Sequence, residues 1–142
     1  MNWLQRAFVA THNRVFRLSR GRLGSRLAGI DHLLLTTTGR RSGQPREAPL
    51  ACFEIDGKLL IVASNGGSDS PPAWFRNIEA NPAVRVLLRD GETKRTARVA
   101  SDEERARWWP QLVKDNSFYG KYEARTSRQI PIVALETTAG LR

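Results

Sequence analysis

The chain is poor in the residues that staple or metallate small proteins. It has one cysteine, Cys52, so no intramolecular disulfide can form. Histidine is confined to His12 and His32, which excludes a zinc site of ordinary ligand spacing. The longest aliphatic stretch, Leu59 to Ala63, is far short of the run of about 20 apolar residues that spans a bilayer. Ala7-Phe8-Val9-Ala10 is likewise too short for the apolar region of a secretory signal. These absences set the reducing cytoplasm as the expected compartment. The Gly-x-Gly-x-x-Gly dinucleotide fingerprint is missing. Gly39 to Gly43 lacks the spacing and the Lys-Ser/Thr ending of a P-loop. There is no Gly-x-Ser-x-Gly elbow. A Ser-His-Asp triad would need His12, in a basic leader, or His32, at the start of a strand, and is set aside.

Acid is absent from the first thirty residues, which hold six arginines. The whole chain carries a net charge of +9, so +6 of it sits in that leader. Leu4, Phe8, Val15 and Phe16 recur near helical spacing there, with Arg6, Arg14 and Arg17 mostly elsewhere. Residues 1–28 therefore read as a basic amphipathic helix and linker, with Gly21, Gly24 and Gly29 breaking the helix. Three readings stay open: peripheral contact with an anionic membrane, a surface helix packed on the body, or a transit-type leader. Residues 29–142 read as one globular domain. A chain of 142 residues with 40% hydrophobic content can bury a core without staples.

The body alternates short β-rich runs with turn signals. Strands are expected over His32–Thr38, Glu47–Ile55, Lys58–Ser64, Ala83–Arg89, Glu92–Ala100 and Ile130–Glu136. Asp56-Gly57 and Asp90-Gly91 are hairpin signals. Asp69 or Ser70 reads as the cap of a helix running to about Ala80, with Pro71 and Pro72 in its first turn. Ser101-Asp102-Glu103-Glu104 is a capping box opening another helix. Ala106, Trp109, Leu112 and Val113 share its expected core face, and Pro110 should kink it. Pro131 argues for an edge position for the last strand. Six or so antiparallel strands with inserted helices describe a small closed or half-open barrel. Cys52 reads as a buried small hydrophobe.

Four constellations carry chemistry. Gly39-Arg40-Arg41-Ser42-Gly43-Gln44-Pro45-Arg46 puts three arginines in one glycine-bounded turn, which suits a phosphate or a run of carboxylates; a solvated basic turn is the plain alternative. Ala63-Ser64-Asn65-Gly66-Gly67 ends a strand in small residues, so backbone N–H groups can approach a flat ligand; a plain loop is the alternative. Trp74, after Pro71-Pro72-Ala73, can flank a planar ring or sit in the core. Tyr119 and Tyr122 lie three residues apart around Gly120, as a flap bearing phenol donors or as two surface tyrosines.

In order, these pieces resemble the deazaflavin-dependent nitroreductases and F420H2-dependent quinone reductases. The resemblance opens on Leu33-Leu34-Leu35-Thr36-Thr37-Thr38-Gly39-Arg40-Arg41-Ser42-Gly43-Gln44-Pro45-Arg46. It runs through Ala63 to Gly67, Ala73-Trp74-Phe75, Asn81-Pro82 and Thr96-Ala97-Arg98. It closes with Asp102 to Arg105, Trp109 to Val113, the tyrosine pair and Arg128-Gln129-Ile130-Pro131, and covers roughly residues 28–136. It implies a split β-barrel related to the FMN-binding barrels, with coenzyme F420 as cofactor. Arg40, Arg41 and Arg46 would meet the coenzyme's phospho-oligoglutamate tail. Ala63, Ser64, Asn65, Gly66, Gly67, Ala73 and Trp74 would hold the deazaflavin ring, with Asn77 and Arg98 nearby. Tyr119 and Tyr122 would line the acceptor pocket, Tyr122 supplying or relaying a proton and Ser64 hydrogen-bonding near the ring. Two departures stand out: Asn65 where such proteins often have Lys, and Ala73 where a larger residue, often Met, precedes the tryptophan.

The implied activity is hydride transfer from C5 of reduced deazaflavin to a quinone-like or nitroaromatic acceptor, a task of positioning and charge stabilisation for the protein. The same barrel using FMN is the runner-up, since FMN also carries a phosphate. A non-catalytic coenzyme carrier and a basic nucleic-acid-binding module are the readings from other classes. The last is disfavoured because the charge is concentrated in one leader and one turn, so no nucleic-acid partner is expected. A membrane quinone as acceptor would suit the basic leader and place the protein at the inner face of the plasma membrane. Split barrels commonly pair, so a homodimer is an open expectation.

Overall fold

The computed structural model describes residues 30–137 together with the backbone of residues 26–27. The expected N-terminal helix lies outside the described residues; Arg26–Leu27, expected within the linker, form a short strand that pairs with Ile30–Asp31. Eight strands run β1 (Arg26–Leu27), β2 (Ile30–Thr38), β3 (Pro45–Ala51), β4 (Phe53–Ile55), β5 (Lys58–Val62), β6 (Ala83–Leu88), β7 (Gly91–Val99) and β8 (Ile132–Thr137). Three helices, α1 (Ala73–Ala80), α2 (Asp102–Asp115) and α3 (Phe118–Ala124), join a short 3-10 turn at Asn65–Gly67.

Every pairing is antiparallel. The order β3-β2-β6-β7-β8-β5-β4 returns on itself, because β3 and β4 are one stretch of chain interrupted at Cys52. Counted that way, six strands close a ring, as the six sequence runs suggest. The expected single strand Glu47–Ile55 is interrupted at Cys52, whose N–H still donates to Asp31 O at 2.9 Å, one position past the His32–Ala51 pair, before Phe53–Ile55 turns to β5. That bend lets one strand pair with β2 at one end and β5 at the other, which removes two sheet edges at once.

Residue alternation then sets the two faces. Leu33 and Leu35, Ile61 and Ala63, Val84 and Val86, and Val133 and Leu135 point into the barrel, where Trp74, Phe75 and Ile78 of α1 join them. The opposite face of β5 and β8 carries Leu60, Val62, Ile132 and Ala134. It packs on Trp108, Trp109 and Leu112 of α2 and Tyr119 of α3. β2 is buried on both faces, which explains its nearly unbroken apolar run.

Several local expectations need correction. β8 is not an edge strand: it pairs with β5 on one side and β7 on the other. Pro131 is tolerated because it precedes the strand and contributes only its carbonyl, which accepts from Ala63 N–H at 3.0 Å. The N-cap of α1 is Pro72, with no side-chain cap, rather than Asp69 or Ser70. On α2 the buried aromatic pair is Trp108 and Trp109, while Ala106 is exposed. Trp108 turns inward because its Nε1 donates to Asp56 Oδ2 at 2.9 Å. α2 continues through Pro110 as one helix, opened by the capping box between Ser101 and Glu104. At the first hairpin Asp56 and Gly57 both take positive φ, as a type I′ turn requires. In the second, Gly91 already pairs with Leu88, so the turn residues are Arg89 and Asp90.

Candidate active site

The end of the barrel where β2 finishes carries the arginine turn. Gly39 is needed there: a Cβ on it would come within 2.6 Å of Ser42 Oγ and 3.2 Å of Gln44 O. Its N–H donates to Gln44 O and its carbonyl accepts from Gly43 N–H, both at 2.8 Å, which closes the turn. Across a groove of about 460 Å3 lies α1. The groove is lined by Arg40, Arg41, Ser42, Arg46, Ala73, Trp74 and Asn77, with Thr37, Gly39, Glu47 and Ala48 completing it.

Asn77 locks the two walls together. It is buried, at 4% exposure. Its Oδ1 accepts from Arg40 N–H at 3.2 Å and from Arg40 Nη1 at 3.0 Å. Its Nδ2 donates to Thr37 Oγ1 at 3.0 Å. Arg40 Nη1 also reaches the Ala73 carbonyl, at 3.5 Å. Arg46 Nη2 donates to Ser42 Oγ at 3.2 Å. Arg41 finds no hydrogen-bond or ion-pair partner among the described residues. Three arginines thus line the groove against one lining carboxylate, Glu47. That surplus of cation on an ordered turn suits an anionic ligand.

The second part of the site is reached through Ala63 and Trp74, which share the barrel core. Trp74 is therefore both a core residue and a groove wall. After Ala63 the chain makes its 3-10 turn with Asn65 at φ 45°, Gly66 at 64° and Gly67 at 82°. The left-handed conformation accounts for Asn at position 65, since Asn tolerates it better than a long side chain. Asn65 Nδ2 also donates to Ser70 O at 3.0 Å. Gly67 serves a close approach of a different kind from that expected: a Cβ there would lie 2.7 Å from Tyr122 O and 2.9 Å from Tyr122 Cα. Gly66 faces open space. So the loop rests on α3, beside Tyr122.

The tyrosine pair divides into two roles. Tyr122 is half-buried, and its ring lies 5.6 Å from the Arg125 guanidinium. Tyr119 is buried, stacked at an angle against Phe118 (4.4 Å), Phe53 (5.7 Å), Trp109 (6.1 Å) and Tyr122 (6.1 Å). Burial first, then the neighbouring Tyr122 and Cys52, hold its phenol above the usual range, so it stays protonated. Tyr119 is thus a core residue of the helical face and supports the Tyr122 ring.

Arg98 is not brought to this site. Nη1 and Nη2 pair with the two oxygens of Glu104, at 2.6 and 3.0 Å, and Nε donates to Glu136 Oε1 at 2.8 Å. Its guanidinium is fixed between β8 and α2 on the outer face. The hydrogen bond from Arg98, followed by the Ser101 backbone N–H, holds Glu104 down to about 2. Cys52 is inert by burial, which with Asp31 pushes its thiol up to about 12.

Four residues that sequence patterns leave out of the site belong beside it. Thr37 and Ser42 hold Asn77 and Arg46, and both lie within the Leu33–Arg46 run. Arg125 and Arg128 donate to carbonyls of the Ala63–Ser68 loop. Arg128 falls in the Arg128-Gln129-Ile130-Pro131 piece of the resemblance, which gives it no role, while Arg125 has no signal beyond its place just after the tyrosines.

Comparison with known proteins supplies the family. The F420H(2)-dependent quinone reductase family matches residues 8–137, a span that includes most of the basic leader. The F420H(2)-dependent quinone reductase Rv1261c of Mycobacterium tuberculosis is 37% identical over 94% of this chain and 95% of that protein. A solved structure described as an F420-H2 dependent reductase (FDR-A) is 42% identical. It superposes with a TM-score of 0.66 over 74% of this chain and 93% of that one. Another, described as a domain-swapped dimer, is 36% identical with a TM-score of 0.67 over 87% of this chain and 98% of that one. With this match over most of its length, the chain belongs to the F420H(2)-dependent quinone reductase family, a family of oxidoreductases whose coenzyme is F420 rather than FMN.

Proposed function

We propose that the groove between the arginine turn and α1 holds the anionic tail of F420, and that the Ala63–Gly67 loop and the Ala73–Trp74 corner hold its ring. The observation that carries this reading is the Asn77 lock. It fixes Arg40 against α1 and leaves Arg41 and Arg46 at the groove wall. A flexible basic turn would be a poor phosphate site, because ordering it on binding costs free energy. This turn is already ordered by two hydrogen bonds from Arg40 to one buried amide, which a third bond ties to Thr37 of β2.

The bound coenzyme would supply the hydride, from C5 of its reduced ring, to a quinone-like acceptor. The chain's own residues position and protonate. Tyr122, half-buried beside the loop, hydrogen-bonds the acceptor oxygen through its phenol and supplies or relays the proton. Tyr119, Phe118 and the packing of Gly67 on Tyr122 restrict where that ring can go. Ala73 in place of a bulkier residue leaves room for a broad flat acceptor, so nitroaromatic compounds are expected as alternative substrates.

No helix among the described residues is long and apolar enough to cross a membrane. Residues 1–28 carry six arginines and no acid, which supports peripheral contact with anionic lipid at the cytoplasmic face, where a membrane quinone is reached. Sedimentation with anionic vesicles, with and without residues 1–28, tests that contact. The relative described as a domain-swapped dimer supports a homodimer, which sizing of the purified chain tests.

The central test is titration with F420, with FMN in parallel, followed by turnover with a quinone. Saturable F420 binding, weak FMN binding and quinone reduction are expected. In Tyr122→Phe turnover should fall at least tenfold while F420 affinity stays within a few-fold. Lost F420 binding in that variant would remove Tyr122 from the acceptor side.

A further inference from the structure

The Ala63–Ser68 loop is gripped from behind by one side chain. Arg128 Nη2 donates to Ala63 O at 3.2 Å and to Ser64 O at 3.0 Å, and its Nε donates to Ser68 O at 2.8 Å. Arg125 Nη1 adds a bond to Gly66 O at 3.2 Å, and Thr126 Oγ1 donates to Asp69 Oδ1 at 2.8 Å. Two features of the molecule make this grip more than loop packing.

The first is peptide geometry. All peptides here are trans, so each C=O and the following N–H point in opposite directions. Pinning the carbonyls of Ala63 and Ser64 toward Arg128 aims the N–H groups of Ser64 and Asn65 away from it. No acceptor among the described residues meets either one. Ser64 is right-handed (φ −77°, ψ −34°) and Asn65 left-handed (φ 45°), the alternation that turns successive N–H groups into one concavity. Gly66 has no atom within 4 Å of where a Cβ would stand, so nothing crowds the loop on that side.

The second is charge. Arg128 is half-buried, and its side chain donates to neutral carbonyls, with no carboxylate partner among the described residues. Its positive charge therefore stays uncompensated on the far side of the loop, where it adds to the pull of the amides on a negatively polarised oxygen.

We infer that Arg128 is a positioning residue: it clamps the Ala63–Ser68 carbonyls so that the Ser64, Asn65 and Gly66 amides form a preset cradle for an oxygen on the edge of the deazaflavin ring. This rests on the ring placement proposed above. The planar fork matters as well as the charge, because one guanidinium must satisfy three carbonyls in fixed directions.

The test uses the full chain and two probes: F420, and the 8-hydroxy-5-deazaflavin riboside that lacks the phosphate and glutamates. Arg128→Ala should weaken both probes at least tenfold. Arg128→Lys, which keeps the charge and loses the fork, should recover less than half of that loss on a logarithmic scale. Arg41→Ala should weaken F420 alone and leave the tail-less ring within twofold. Hydrogen exchange on the coenzyme-free protein gives a second readout. The Gly67 and Ser68 amides, bonded to Ser64 O at 2.8 Å and Asn65 O at 3.1 Å, should exchange at least tenfold faster in both Arg128 variants. Unchanged exchange, or parental affinity for the tail-less ring in Arg128→Ala, overturns the clamp. Parental affinity in Arg128→Lys overturns the role of the fork. If the parent binds neither probe, the ring placement itself falls, while exchange still decides whether Arg128 holds the loop.

Discussion

Asn77 offers the sharpest separation of stability from binding, because two substitutions there should move the two quantities independently. Asn77→Ala deletes both acceptor contacts to Arg40 and the donor contact to Thr37. At about 1 kcal/mol net per hydrogen bond, the loss is about 2–3 kcal/mol. The exposed Arg40 side chain regains water, which favours the lower figure. For a domain of this size that corresponds to a melting temperature lower by about 7–10 °C. F420 affinity should fall as well, since the long Arg40 contact to the Ala73 carbonyl is then all that ties the arginine turn to α1. Asn77→Asp is different. Its carboxylate accepts from Arg40 as the amide did, and the Thr37 hydroxyl can rotate to become the donor. The ion pair with Arg40 offsets part of the cost of burying the carboxylate, so thermal stability should fall by less than in Asn77→Ala. Yet the new charge stands in a groove proposed to hold an anion. Two like charges about 8 Å apart repel by about 1–2 kcal/mol at an effective dielectric of 20–40. F420 affinity should therefore drop about five- to thirtyfold, with a salt dependence shallower than that of the parent. The assays are differential scanning fluorimetry and an F420 titration at two ionic strengths. If Asn77→Asp binds F420 as tightly as the parent, the tail does not pass by Asn77, and the groove assignment fails.

Other consequences are open to direct measurement. The depressed Glu104 and Glu136 carboxyls contribute stability that is present above their ordinary range and lost as pH falls through the folded value, about 2 for Glu104. Melting temperature should fall between about pH 4.5 and 2, and Arg98→Gln should flatten that slope while leaving F420 affinity unchanged; an equal slope, or lost F420 binding, would contradict the structural role given to Arg98. Cys52 should react with a disulfide reagent at pH 8 at least about fiftyfold slower in the native than in the unfolded chain, because burial pushes its thiol up to about 12 and the greater nucleophilicity of its thiolate offsets only part of that. Fast native labelling would mean that the bend between β3 and β4 opens readily. Trp109 Nε1 is buried with no acceptor among the described residues, so Trp109→Phe should cost under about 2 kcal/mol, against about 3–5 for Trp109→Ala. Equal losses in denaturant melts would show that the indole nitrogen is satisfied in solution.

Legibility of the fold follows the range of each signal. The Asp56-Gly57 turn and the Ser101–Glu104 box depend on residues adjacent in sequence, and the structure has both at the expected positions. The position of β8 depends on which strands arrive beside it, and Pro131 misleads because a proline one residue before a strand looks the same as one inside it. Trp108 escapes a pattern reading for the same reason: its inward turn answers to Asp56, fifty-two residues away. The break at Cys52 is invisible in the sequence because barrel closure, not local preference, demands it.

The site shows the same division at the level of charge. A cluster of arginines in a turn says that an anion could be held there, but an arginine's role depends on who sits across from it. Arg40 is turned to the groove by Asn77, thirty-seven positions on. Arg98, equally basic and equally part of the resemblance, is captured by Glu104 and Glu136 and becomes a strut. Arg128, also part of the resemblance but given no role by it, meets only carbonyls and ends up behind the loop proposed to face the ring. Carboxylate partners remove an arginine from ligand chemistry, and carbonyl partners leave its charge to act at a distance. Sorting this chain's arginines by partner, rather than by position in a motif, therefore separates those proposed to act on the coenzyme from Arg98, which holds β7 to β8 and α2.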